Sequence, residues 1–159
     1  MKVLAPVPLR HTVSDQVNKT GLVTRPWQQF LMEMRDILNA TPGKEGAVAL
    51  TAQGASIVAT AVPTSTLAAG LYRINYVARI STAAGTSSSL TVTLGWTVGG
   101  VACAFVGDAM VGNTTAEVQV NSFLVRIDAG TTITYATAYV SVGAPSMTYT
   151  LDVTLELLP

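Results

Sequence analysis

Charged side chains are scarce in this chain. Asp, Glu, Lys and Arg make up 11% of its 159 residues, whereas a soluble domain usually contains about 25%. The nine basic and nine acidic residues cancel, and no block of like charge occurs. The electrostatic signature of a protein that binds nucleic acid or an anionic membrane is therefore missing. We expect neither nucleic acid nor membrane among the partners of this chain.

Histidine and cysteine each occur once, as His11 and Cys103. A single cysteine excludes an internal disulfide, and the apolar residues around Cys103 predict an inert, buried thiol. His11 has no cysteine or acidic residue at metal-ligand spacing, and a Ser/His/Asp or Cys/His catalytic device would have to use it. The five acidic residues after position 100 are dispersed singly. The sequence therefore predicts no catalytic residue, no metal and no cofactor.

Long apolar runs of the kind that cross a membrane are also missing. Three stretches lack charge, at residues 46–72, 80–107 and 129–151. Each is interrupted by Gly, Ser, Thr or Pro and alternates with a period of two, unlike a spanning helix of about 20 apolar residues. The first residues contain no apolar run of signal-peptide length. We expect the protein to act where it is made, or in particles assembled there.

The charge that is present is concentrated at the N-terminal end. Residues 1–45 carry ten of the eighteen charged side chains, and the other 114 residues carry eight. Residues 1–24 contain Pro6 and Pro8, scattered polar residues and no periodicity. Such a segment has no core of its own, and we predict an extended attachment arm that orders only against a partner.

An amphipathic helix is predicted at residues 25–40, because Pro26 suits a first helical turn and Thr24 can cap it. Its apolar residues recur at steps of three and four: Trp27, Phe30, Leu31, Met34, Ile37 and Leu38. A helix of about 13 residues is marginal in water, so this stripe must be covered. Three covers remain open: the β-domain of the same chain, the same helix of sister subunits through a and d positions, or a different protein.

Residues 46–159 change to two-residue alternation and predict a β-domain. Turn residues such as Gly99-Gly100 and Asp128-Ala129-Gly130 separate the predicted strands, and the glycine pair predicts the tightest hairpin. The five tyrosines share faces with Ile, Leu and Val, which favours core positions over a sugar-binding platform. Eight strands are predicted, at 47–51, 55–62, 71–80, 89–98, 101–106, 115–127, 131–142 and 147–157. Without intervening helices they indicate an all-β fold, a jelly-roll-like antiparallel β-sandwich.

The edges of that sandwich have few Lys or Glu residues to repel another sheet. A large uncharged surface can stay in solution if Thr and Ser hydroxyls face water, or if other copies of the chain cover it. The sequence favours an oligomer that covers these edges.

The N-terminal pattern supports a family resemblance. Pro6-Val7-Pro8-Leu9, Gly21-Leu22-Val23-Thr24 and Pro26-Trp27-Gln28-Gln29-Phe30-Leu31 resemble the start of small virion proteins of tailed bacteriophages. The segments Ser87–Thr93 and Gly95-Trp96-Thr97 are similar to those of phage decoration, head-fibre and tail-appendage domains.

The resemblance implies a non-enzymatic virion protein, assembled in the host cytoplasm. It implies a homotrimer that decorates the capsid or forms a head fibre, bound to major capsid or portal and tail proteins. The expected oligomer or attachment interface comprises Pro6, Pro8, Leu9, Trp27, Phe30, Leu31, Met34, Ile37 and Leu38. The alternative is a tail or collar appendage that binds a host surface glycan through the loops near residues 107–115 or 143–146.

Overall fold

A computed structural model of the protein describes residues 25–38 and 43–159. The chain divides between residues 42 and 43 into two units. The arm predicted at residues 1–24 lies outside the described residues, as does His11.

The N-terminal unit contains helix α1, Arg25–Leu38, which confirms the helix expected from the Trp27 to Leu38 stripe. Trp27 and Phe30 are one turn apart on the same face and meet edge to face, with ring centroids 5.5 Å apart. On the polar side Gln29 Nε2 donates a hydrogen bond to Glu33 Oε1 at 3.2 Å. This pair is separated by four residues, the spacing that brings side chains together along a helix.

The β-domain has nine strands in residues 43–159, one more than predicted. They are β1 (Gly43–Gln53), β2 (Ile57–Ala61), β3 (Gly70–Thr82), β4 (Ser89–Val98), β5 (Val101–Val106), β6 (Met110–Val111), β7 (Val118–Ile127), β8 (Thr134–Val140) and β9 (Thr148–Leu157). The additional strand is the two-residue β6, which is too short to produce an alternation signal. The predicted Gly99-Gly100 hairpin is confirmed, since Val98 pairs with Val101 and both glycines have positive φ, 59° and 74°.

Two antiparallel sheets form a jelly-roll-like β-sandwich. The four-stranded sheet has the order β1-β9-β3-β7, and the five-stranded sheet has the order β2-β8-β4-β5, with β6 also paired to β4. From β1 to β4 and again from β7 to β9, each connection crosses from one sheet to the other. This strand order is that of a jelly roll, and it confirms the predicted fold class.

The core lies between the two sheets and is built from alternate residues of the central strands. The largest fully buried side chains include Tyr72, Tyr76 and Tyr149. Tyr135 is also buried and Tyr139 is half-buried, so the tyrosines lie in or against the core, as their apolar neighbours predicted. Because alternate strand residues face opposite ways, one face of each sheet is dry and the other faces outward.

The expectation of a buried thiol at Cys103 is wrong. Cys103 is only half-buried, because β5 is an edge strand with a neighbour on one side, and apolar neighbours along the sequence do not by themselves provide cover. The opposite occurs at Thr150 of β9, which is on the outward side of the sheet but is only 6% exposed. The side chain of Arg79 lies beside it, and Arg79 Nε donates to Thr150 Oγ1 at 3.1 Å.

Candidate functional site

The five-stranded sheet contains no charged residue. None of β2, β4, β5, β6 and β8 includes Asp, Glu, Lys or Arg. On its outer face threonines of β4 lie opposite alanines of β8: Thr91 pairs with Ala138, and Thr93 with Ala136. Small hydroxyl and methyl groups therefore cover this face, which is suited to close contact because no charge would have to be desolvated.

The four-stranded sheet carries all the charge found in the strands of the sandwich. On its outer face Arg73 forms an ion pair with Glu156 at 3.5 Å, and both side chains are partly exposed. Next to this pair, Asn75 Nδ2 donates to Thr154 Oγ1 at 3.2 Å, and Ser122 Oγ donates to Asn75 Oδ1 at 2.6 Å. An exposed pair contributes little stability, but such a polar network suits a face in contact with water.

Exposed apolar side chains are concentrated at one side of the sandwich, on the outer faces of both sheets, and we call this side the β5–β7 wall. It consists of edge strand β5, its continuation β6 and edge strand β7. Of the ten large hydrophobic side chains that are exposed in residues 43–159, six lie on these three strands: Val101, Val106, Val111, Val118, Val120 and Leu124. Arg126 is the only charged residue in the three strands.

Aromatic rings fill the space between β5 and β7. Phe105 of β5 stacks on Phe123 of β7 with centroids 4.9 Å apart, and Trp96 of β4 lies 5.9 Å from Phe123. All three rings are half-buried and pack against the core. Contacts between rings at this distance stabilise the pair beyond area burial. The cluster therefore joins the two sheets at the wall without closing it from solvent.

Hydrogen bonds also join the two sheets at the wall. Tyr76 Oη donates to Gln119 Oε1 at 2.9 Å, and Gln119 Nε2 donates to the carbonyl of Asp108 at 3.2 Å. Burial, and to a lesser extent the charge of Asp108, raises the pKa of Tyr76 above its ordinary value. The phenol therefore remains a protonated donor at neutral pH. Gln119 points inward although its neighbours Val118 and Val120 point outward.

The loops proposed for a receptor site meet at one end of the sandwich. Ala84 N donates to Gly112 O at 2.9 Å, and Gly85 N donates to Pro145 O at 3.1 Å, so the β3–β4 loop contacts both of them. None of residues 83–88, 107–117 and 141–147 is aromatic. The structure thus brings together the loops that the sequence singled out, but without the ring on which a sugar would stack.

The predicted attachment residues fall in the other unit. Pro6, Pro8 and Leu9 lie outside the described residues, and so do the side chains of Ile37 and Leu38. On α1, Trp27, Phe30 and Met34 are half-buried and Leu31 is exposed. The apolar stripe is therefore present along the described part of the helix.

The carboxylate of Asp128 has a structural role at a turn. Asp128 Oδ2 accepts a hydrogen bond from Gly99 N at 2.6 Å, so the β7–β8 turn holds the β4–β5 hairpin in place. In residues 25–38 and 43–159 no group of three or more His, Cys, Asp or Glu side chains could hold a metal ion. A groove of about 340 Å³ is lined by residues 61–67 and 130–132, and none of these residues is ionisable.

Sequence reasoning did not single out the outward residues of the wall. A signal was present in the sequence Val118-Gln119-Val120-Asn121, which is followed by three consecutive apolar residues, 123–125. In the first half of this strand the apolar residues have even numbers, whereas in the second half Phe123, Val125 and Ile127 have odd numbers. The two halves therefore favour opposite faces of the strand for the core.

Comparisons with known proteins add little to the fold. No model of a known protein family matches the chain, and no curated protein does. Among solved structures, TmCBM61 in complex with beta-1,4-galactotriose is similar, with a TM-score of 0.44, 14% identity and an alignment that covers 70% of each chain. A likeness this distant carries no argument about ligand or function. Among the described residues no helix is both long and apolar enough to cross a membrane.

Proposed function

We propose that the chain is a non-enzymatic structural protein of a virion, a homotrimeric capsid decoration or head-fibre subunit held to the particle by its N-terminal arm and helix. The observation that carries this proposal is the five-stranded sheet without a single charged side chain. A structural subunit acts by binding its neighbours and needs no reactive group. A charged side chain in such an interface would have to be desolvated, which costs free energy.

The oligomer is favoured because copies of the chain can bury each other's apolar and uncharged surfaces. Sheet edges without charge are prone to pair with other sheets, and exposed apolar patches mark interaction surfaces. In a closed symmetric oligomer these surfaces cover one another and the process stops at a defined number of copies. The resemblance of the N-terminal segments to phage virion proteins supports the choice of a trimer.

Attachment through the other end of the chain completes the proposal. Three copies of the arm and of the α1 stripe act together, since binding of the first raises the effective concentration of the second and third. Each attachment can therefore be weak while the trimer stays bound to its particle.

The test is to add purified full-length chain to phage particles that lack it and to measure bound copies by sedimentation and cryo-EM. We expect saturable binding at a copy number set by the symmetry of the particle. Deletion of residues 2–24 should abolish binding and leave the oligomer intact, as measured by light scattering. A truncated chain that still decorates particles would contradict the role of the arm, and a full-length chain that binds no particle would contradict the proposed function.

A further inference from the structure

We propose that the β5–β7 wall is the surface through which copies of this chain contact one another, with β7 of each copy at the centre of the contact. The inference rests on the proposed function and names the interface of its oligomer. Its occupant is a second copy of this chain.

The edge strands on the two sides of the sandwich differ in regularity. On the side opposite the wall, edge strands β1 and β2 are irregular: the β1–β9 ladder shifts register between Lys44 and Gly46 and again between Leu50 and Gln53, and the β2–β8 ladder shifts between Ile57 and Thr60. Bulges and a charged residue at an edge discourage pairing with another sheet.

Neither β5 nor β7 of the wall has a bulge, and the one charged residue of these strands, Arg126, is the last but one residue of β7. Strand β7 pairs with β3 through ten consecutive residues without a register shift, and β5 pairs with β4 through six. Within residues 43–159, β7 has no neighbour on its other side. A long, regular edge with a single charge near its end is a template for another strand, whose backbone groups it can pair.

The first residues of β7 have their apolar side chains outward. Val118 and Val120 face outward, opposite Arg79 and Val77, whereas Gln119 faces inward opposite Ala78. Val120 is 67% exposed. At this end of the strand an isolated domain would be expected to have the valines inside and the glutamine outside, so Val118 and Val120 stay exposed unless something covers them.

The wall is large enough for a stable contact between two copies. Strand β7 has ten residues, which at about 3.4 Å each gives an edge about 34 Å long, and two sheets about 10 Å apart with their side chains give a depth of roughly 20 Å. The wall thus offers on the order of 700 Å², close to the roughly 800 Å² per partner of a stable interface. A second copy presents a wall of the same size with the same apolar side chains, so two walls can cover each other in a symmetric contact.

The experiment compares two valine-to-lysine substitutions in the full-length chain by light scattering and analytical ultracentrifugation at micromolar concentration. Val120→Lys places a charge on the wall. Val58→Lys is the matched control, because Val58 is 81% exposed and lies on β2, the edge of the five-stranded sheet opposite β5. We expect wild type and Val58→Lys to form the same oligomer. Val120→Lys should raise the dissociation constant of that oligomer by at least about 30-fold, as loss of an interface hot spot does.

Circular dichroism and thermal unfolding verify that each variant folds. If Val120→Lys does not fold, Val118→Lys repeats the test, and hydrogen exchange of the wild-type β7 amides adds a measurement that needs no substitution. Dilution to monomer should speed the exchange of these amides and leave the central strand β9 unchanged.

The outcomes separate this inference from the proposed function. An oligomer that withstands a folded Val120→Lys, or that dissociates equally with Val58→Lys, overturns the assignment of the wall but leaves the oligomer standing. A wild-type chain that is monomeric at micromolar concentration overturns both. A monomer whose β7 amides are nevertheless protected would show that the chain's own N-terminal unit covers the wall.

Discussion

Replacing Tyr149 by Phe tests how the two sheets of the sandwich are joined. Tyr149 lies on β9 and is fully buried. Its hydroxyl donates to the carbonyl of Ala55 at 2.8 Å and lies 2.7 Å from the hydroxyl of Thr137 on β8. Thr137 Oγ1 in turn accepts a hydrogen bond from Ile57 N at 2.9 Å. One phenol therefore connects the four-stranded sheet, the five-stranded sheet and the β1–β2 connection.

The expected cost follows from what the substitution leaves behind. Phenylalanine keeps the ring and its packing, so the hydrophobic contribution is almost unchanged. The carbonyl of Ala55, an exposed residue, loses its donor. The hydroxyl of Thr137, which is 5% exposed, loses one of its two partners. A buried polar group left without a partner costs about 1–3 kcal/mol. We expect the free energy of unfolding to fall by about 2 kcal/mol, which lowers the Tm by about 4–8 °C for a chain of this length.

Urea unfolding followed by tryptophan fluorescence and circular dichroism measures this change. All variants are compared at one protein concentration, since oligomerisation makes apparent stability depend on concentration. Tyr135→Phe is the matched control, because Tyr135 is also buried but its hydroxyl makes no hydrogen bond in the described residues. A loss below about 0.5 kcal/mol for Tyr149→Phe, or an equal loss for both variants, would refute the reasoning that the Tyr149 hydroxyl joins the sheets.

Alkaline pH should destabilise the fold, because burial raises the pKa of three core tyrosines above the ordinary value of 10.0: Tyr72, Tyr76 and Tyr149. The folded chain holds these protons more tightly than the unfolded chain, so their stabilising contribution is complete below pH 10 and is lost as pH rises through the higher folded pKa values. Urea midpoints that stay constant from about pH 9 to about pH 12 would contradict this assignment. Gly112→Ala should cost about 1–3 kcal/mol by overpacking, because a Cβ there would meet Met147 Sδ and, at 2.7 Å, the Cβ of Ser88. Gly54→Ala is its control, since no atom lies within 4 Å of the added Cβ, and chemical denaturation should find it neutral or up to about 1 kcal/mol stabilising; equal losses would contradict the packing argument.

Much of the fold could be predicted because local patterns and tertiary packing agree in the central strands. On β3 and β9 the apolar residues alternate without interruption, and the structure buries Tyr72, Ile74, Tyr149 and Leu151 as that alternation requires. The Gly99-Gly100 pair fixed the hairpin, because positive φ at both positions excludes most other residues. These features depend on neighbours along the chain, which a sequence shows directly.

The edges were harder to predict, because burial there depends on strands that are distant in sequence. Cys103 has apolar neighbours in the sequence yet lies half-buried on β5, since the sheet ends there. On β7 the first half of the strand favours one phase and the second half the other. Phe123, Val125 and Ile127 set the phase by packing into the core, and a strand cannot reverse its faces midway without a bulge.

Composition and alternation alone therefore determined that this chain is an all-β sandwich with little charge, preceded by an amphipathic helix. Only the tertiary structure decided which surfaces of the sandwich are without charge. The strand order separates a polar four-stranded sheet from a charge-free five-stranded one. It also places two regular edges, β5 and β7, on the same side of the sandwich, with Val120 outward. Which strands become neighbours is a property of long-range pairing, and no window of the sequence contains it.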